Sequence, residues 1–314
     1  MKKSSRILIV GHNDIVEKSL AAYCWNHGYT QIFSSAQVNL NVLDLYQVRD
    51  FFKEQKPDYV FLLSWRSGGI EANQKLAAEF IYENLVCQNN VIHSAYQSGV
   101  KKLLFISSSC VYPQRCRQPM RESSLFTGPL ESTSEPYAVA KIAGMTMCRA
   151  YRKQYGFNAI VLVPATIYGP QSDTDLTTAH VMGALIGKFH EAVQKKQNQV
   201  VIWGSGRPRR EFLYVEDFVE AAVFLMESHD SDEIINVGCG HDVSIRELAK
   251  MVAKAVGFRG RIVFDRSKPD GVKRKLLDIS RMAKLGWSVK TDLNTGIAKT
   301  YEGYQRRVSE DYRL

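Results

Sequence analysis

The sequence predicts an α/β fold: a doubly wound parallel sheet with a smaller C-terminal lobe woven into it. Three observations carry that prediction. Short apolar runs of strand type alternate with segments of helical periodicity through the first half of the chain. The polar residues best suited to chemistry, Ser108 and Cys110 among them, lie just beyond the ends of those runs, where such sheets bind ligands. Beyond Gly169 the alternation loosens, as expected where a second lobe begins.

The elements follow in order. Arg6–Val10 is a short apolar run, and a turn and a helical stretch to about residue 27 come after it. Residues 59–63 and 103–106 are two more buried strands, with helical periodicity over residues 73–98 between them. Pro136 suits the first turn of a helix running to about residue 155, and residues 159–163 form the next strand. Strands of this continuous apolar kind belong to a parallel sheet covered on both faces. Further on come a helix near residues 178–194, a short strand at 200–203, and helices at 215–227 and 244–256. The division is residues 1–170 for the main doubly wound domain, with a return segment at about 210–240. Residues 171–209 and 241–314 then make the substrate-binding lobe, leaving a cleft between the two. There is no internal repeat and no low-complexity linker.

Composition bounds the function. A chain of 314 residues with 45% hydrophobic content can bury a sizeable core. The apolar run after Lys2 and Lys3 is too short for a signal segment, and no stretch approaches a membrane span. The six cysteines include no Cys-x-x-Cys pair and read as free thiols, so a cytoplasmic protein is expected and no metal site is assigned. The net charge of +9 is spread along the chain, with only short clusters such as Arg209-Arg210 and Lys273-Arg274-Lys275. That distribution favours an anionic small ligand, such as a nucleotide diphosphate, over nucleic acid.

Tyr137 and Lys141 are four residues apart on one face of the predicted helix. An ammonium beside a phenol favours the phenolate, so such a tyrosine can pass a proton to a carbonyl oxygen as hydride reaches the carbon. Ser108 is placed to hydrogen-bond that same oxygen. One Tyr-x-x-x-Lys is weak evidence, because a packed tyrosine and a snorkelling lysine look the same. Ser-Ser-Ser-Cys after one strand and Pro-x-x-x-Tyr-Gly after the next make chance a poor explanation.

These stretches, with Trp203-Gly204-Ser205-Gly206, Arg210-Glu211-Phe212-Leu213 and Lys268-Pro269-Asp270-Gly271, resemble the extended short-chain dehydrogenase/reductases. Within them the chain is similar to the GDP-L-fucose synthase family, nearly end to end. The resemblance implies a Rossmann-type domain, 3,5-epimerisation of a GDP-4-keto-6-deoxy sugar and NADPH-dependent reduction at C4. It makes Ser108, Cys110, Tyr137, Lys141 and His180 catalytic, with Cys110 the base and His180 the acid. A thiol must be lowered by a positive neighbour to act as base, and Lys141 or His180 could supply it. Cofactor contacts are implied for Gly11, His12, Asn13, Ile15, Val16, Ser107, Lys141, Pro164, Ile167 and His180. Lys188, Trp203, Arg210, Asp270 and Lys275 match the positions that hold the GDP-sugar, with Lys188 replacing the usual arginine. A homodimer through helices of the main domain is expected.

The chain departs from that family at the cofactor loop. The pattern Gly-x-x-Gly-x-x-Gly keeps Gly11 but has Asp14 and Glu17 at the second and third places. Asp14 is expected to cap the following helix, in competition with a phosphate for the same amides. The arginines that select NADP are replaced by Asn13 and by the cation-free run Phe33-Ser34-Ser35-Ala36-Gln37, which also lacks an acid for NAD. NAD(H) therefore stays open beside NADP(H). Arg66 offers a phosphate partner from another direction, and Ala165 stands where the family commonly has asparagine. Pocket shape near Ala165 and Leu176 would decide the sugar. An enzyme that only epimerises, or a non-catalytic partner subunit keeping the fold, are the alternatives.

Overall fold

The computed structural model describes residues 1–12, 15–174, 179–268 and 270–311. β1 (Arg6–Val10) buries its last four side chains, and α1 (Ile15–Asn26) turns Val16, Leu20 and Cys24 inward after it. β2 (Gln31–Ser34) follows, then α2 (Leu45–Gln55), which begins on Asp44, whose carboxylate accepts from the Tyr46 and Gln47 amides. Next come β3 (Tyr59–Leu62), α3 (Ile70–Lys75), α4 (Ala77–Gln97), β4 (Lys102–Ile106), α5 (Glu135–Tyr155) and β5 (Ala159–Pro164).

The expected helix over residues 73–98 is two helices. Leu76 joins them with φ −118° and ψ 36°, outside helical geometry. The turn lets Ala72 and Phe80 pack with Tyr137 in one small cluster, with Leu76 against it. α5 starts with a proline in its first turn and ends on Gly156 in the left-handed region, φ 67°.

The second half carries β6 (Thr166–Tyr168), α6 (Val181–Gln194), β7 (Gln199–Trp203), β8 (Arg209–Tyr214), α7 (Val215–Ser228), β9 (Ile235–Val237) and β10 (Asp242–Ser244). α8 (Ile245–Val256), β11 (Arg261–Asp265), β12 (Arg274–Lys275), α9 (Ser280–Lys284) and α10 (Leu293–Asp311) complete it. α8 is opened by a capping box in which Ser244 and Glu247 satisfy each other's amides.

The main sheet runs β2-β1-β3-β4-β5-β9, all parallel. Strand order reverses between β1 and β3, and that switch point opens a crevice at the carboxyl ends of the strands. β9 reaches the sheet from the second half of the chain. α7 packs on α1, and the buried Lys102 ammonium of β4 caps its end, bonding the carbonyls of Leu225, Met226 and His229. A second apolar cluster, containing Tyr168, Phe189, Phe212, Leu248, Val252 and Ile297, holds the smaller C-terminal region together. There β8 pairs with β6, β10 and β12, and β7 with β11.

Candidate active site

Three groups of residues meet at the carboxyl ends of the strands. The first is the cofactor crevice. A Cβ on Gly11 would lie 2.9 Å from Leu63 Cδ1 and 3.0 Å from Glu17 Oε2, so any side chain there would have to displace both. The Ser35 hydroxyl accepts from the Gly11 amide at 3.1 Å and donates to the Gly11 carbonyl at 2.9 Å. Glu17, at the place expected for the third glycine, is buried. Its Oε1 accepts from Ser34 Oγ at 2.6 Å, Ser35 Oγ at 3.2 Å and the Ala36 amide at 3.3 Å. The His12 ring meets Trp65 edge-on, with centroids 4.7 Å apart. Ile15 and Val16 pack inward at the start of α1. Asn13, Asp14 and Leu176 lie outside the described residues, and with them the expected cap on α1.

Arg66 does not wait for a phosphate. Its guanidinium makes a two-pronged bond to Glu83, 2.8 Å on each arm, while buried Asn84 holds the Trp65 and Arg66 amides.

The second group stands on β4 and α5. Buried Ser107 donates to Met145 Sδ at 2.9 Å. Ser108 is extended and accepts from the Cys110 amide at 3.3 Å, capping the short 3₁₀ turn Ser109–Val111. Lys141 is buried one turn beyond Tyr137, its ammonium 4.6 Å from the centre of the Phe105 ring. Gly144 sets how closely α5 approaches: a Cβ there would fall 2.6 Å from Gln88 Oε1 and closer still to Phe105 Cζ. The Tyr137 hydroxyl lies 2.8 Å from Ser64 Oγ, just past β3. Sequence reasoning missed Ser64, because nothing local distinguishes it. Pro164 ends β5, the Ala165 amide bonds the Val237 carbonyl at 2.9 Å, and Ile167 is half-buried on β6.

The third group surrounds Cys110. Lys275 Nζ is 3.5 Å from Cys110 Sγ, carried there by β12. Burial raises the thiol's pKa, but the Lys275 charge, with hydrogen bonds from Ser108, Ser134 and Lys275, brings it below its ordinary value. The positive neighbour is thus Lys275, correcting the expected Lys141 or His180. It comes from a strand 165 residues away in sequence. His180 is the N-cap residue of α6. Its surface is open, yet enough protein surrounds it that desolvation, aided by Lys275 and opposed by Asp173, depresses its pKa.

The residues expected to hold the sugar nucleotide fall in two places. Trp203 is an exposed ring at the end of β7, with Lys188 Nζ 5.7 Å and Lys268 Nζ 5.3 Å from its centre. Burial lowers the Lys188 pKa, and its ammonium donates to the Val201 carbonyl at 3.3 Å. Asp270 accepts from the Ser205 amide at 2.8 Å and hydroxyl at 2.6 Å, close to Trp203 in the chain. Arg210 and Lys275 are instead register partners on β8 and β12, near Cys110. Arg210 is tethered through the Val272 carbonyl at 2.6 Å.

A family model for the NAD dependent epimerase/dehydratase family matches residues 7–238. A GDP-L-fucose synthase of Sinorhizobium fredii is 46% identical over 306 residues, 98% of this chain and 97% of that one. Among solved structures, a GDP-6-OMe-4-keto-L-xylo-heptose reductase from C. jejuni has a TM-score of 0.92 at 35% identity, over 98% of this chain and 99% of that one. GDP-mannoheptose C4 reductase from Campylobacter jejuni, solved with NADP bound, has a TM-score of 0.89 at 37% identity, over 97% and 99%. The alternating parallel sheet, the Tyr137–Lys141 helix and these matches agree: the chain belongs to the NAD dependent epimerase/dehydratase family, in the branch of the GDP-L-fucose synthases.

Proposed function

We propose that this chain is a GDP-sugar epimerase-reductase, inverting C3 and C5 of a GDP-4-keto-6-deoxy hexose and then reducing C4. The observation that carries the reading is the Cys110–Lys275 pair, a thiol held low by an ammonium 3.5 Å away at the mouth of the sheet. A 4-keto group acidifies the protons on its two neighbouring carbons. Cys110 as thiolate takes such a proton, and His180 as imidazolium returns one to the opposite face. Lys275 favours the thiolate and disfavours the imidazolium, so it lowers both pKa values together.

A nicotinamide nucleotide would lie along the crevice where β1 ends at Val10 and α1 begins at Ile15, held by Gly11 and the start of that helix. When bound, the reduced nicotinamide supplies hydride to C4. Tyr137 then gives the new alkoxide its proton, with buried Lys141 favouring the phenolate left behind and Ser108 and Ser64 orienting the oxygens. Trp203 and the lysines flanking it suit a diphosphate-linked base, with Asp270 beside them. Proton exchange without reduction is the second reading, favoured by Glu17 at the third glycine's place.

Two further assignments belong to this proposal. Exposed Tyr82, Val139 and Tyr155 on α4 and α5 support a homodimer through those helices. Six unpaired cysteines support a reducing, cytoplasmic setting. No helix among the described residues is long and apolar enough to cross a membrane.

The test is incubation with GDP-4-keto-6-deoxy-D-mannose and a reduced nicotinamide nucleotide, with the product followed by NMR. A 4-hydroxy product inverted at C3 and C5 supports the reading. Recovery of the keto sugar unchanged contradicts it.

A further inference from the structure

Resting on the reductase reading above, we propose that Glu17 makes this enzyme select a nicotinamide coenzyme without a 2′-phosphate, NAD(H) over NADP(H). In doubly wound sheets the adenosine ribose lies at the end of the second strand, where an acid reads a free 2′-hydroxyl and an arginine reads a 2′-phosphate. At the end of β2 the donors turned toward α1 are the Ser34 and Ser35 hydroxyls and the Ala36 amide. All three bond to the Glu17 carboxylate, at 2.6, 3.2 and 3.3 Å. The single Ser35 hydrogen is shared between Glu17 and the nearer Gly11 carbonyl, while the Ser35 oxygen accepts from the Gly11 amide.

No cation compensates from the strand side. From Phe33 to Leu43 the sequence contains neither lysine nor arginine, and the next charge is Asp44, which caps α2. Across the crevice, Arg66 is held by both oxygens of Glu83, and the His12 ring is packed on Trp65. Lys18, next to Glu17 in sequence, is exposed.

A 2′-phosphate would therefore approach a buried carboxylate through its spent donors, in a medium where like charges repel strongly. A neutral 2′-hydroxyl meets no such repulsion. The acid comes from α1 instead of the β2 end, so inspection of residues 33–37 alone finds neither selector.

The experiment titrates the purified full chain with NADH and with NADPH, following nicotinamide fluorescence, with GDP binding measured on the same sample. NADH is expected to bind tighter by about tenfold, a difference of ~1.4 kcal/mol. Glu17→Gln should narrow that ratio. Gln37→Arg, which places a cation at an exposed position past β2, should raise NADPH affinity and leave GDP affinity unchanged. NADPH binding as tightly as NADH, or a ratio that moves in neither variant, would overturn the inference while intact GDP binding leaves the substrate reading standing. Failure of both nucleotides to bind would overturn the inference and the reductase step together.

Discussion

The cluster around Cys110 and Tyr137 and the crevice after β1 lie at the same edge of one sheet, yet they treat polar groups differently. Around Cys110, polar side chains from separate elements meet in pairs: the thiol with Lys275 and the Tyr137 hydroxyl with Ser64. In the crevice they are used up internally, with Glu17 taking Ser34, Ser35 and Ala36, and Glu83 taking Arg66. The fold tolerates a carboxylate at the third glycine's place because two serine hydroxyls and an amide satisfy it there. The Tyr137 and Lys275 positions are held by rigid elements, α5 pressed on the sheet at Gly144 and β12 paired to β8.

The largest separation of the two regions is expected from Tyr137→Phe. Removing the proton donor should slow reduction by about 10²–10⁴-fold, while hydrogen exchange at C3 and C5 stays near wild type. Single-turnover reduction and NMR exchange, run side by side, check this. An equal loss of both activities would mean that the two steps are not separable.

Next comes Lys275→Met. Its charge lowers both the Cys110 and the His180 pKa, so its removal should move both limbs of the epimerisation pH profile to higher pH. If Lys275 only holds substrate, KM rises and the limbs stay in place. The smallest effect is expected from Gly144→Ala, where the added methyl meets Phe105 and Gln88. A thermal melt should report a loss of about 1–3 kcal/mol, from the overpacked contact between α5 and the sheet.

Much of this was legible in the sequence, for physical reasons. β1, β4 and β5 are buried on both faces, so they appear as unbroken apolar runs. β2 is half-exposed and β9 has only three residues, which leaves periodicity little to act on. The break at Leu76 is imposed by packing on Tyr137, a tertiary cause that local propensity does not contain. Within the site, Ser108 was readable from a strand end and Tyr137 with Lys141 from a helix face, whereas Cys110 and His180 rested on the family resemblance. The Lys275–Cys110 contact spans 165 residues and was not readable. Glu17 was visible as a lost glycine, but its reach to the end of β2 needed the fold.

The central claim is that proton-transfer chemistry is intact at Cys110 whatever the crevice binds. It is tested most directly by incubating GDP-4-keto-6-deoxy-D-mannose in heavy water with no coenzyme, and reading deuterium at C3 and C5 by NMR. The account predicts exchange at both carbons with the wild-type chain and its loss in Cys110→Ser. Absence of exchange in the wild type, or equal exchange in the variant, would contradict it.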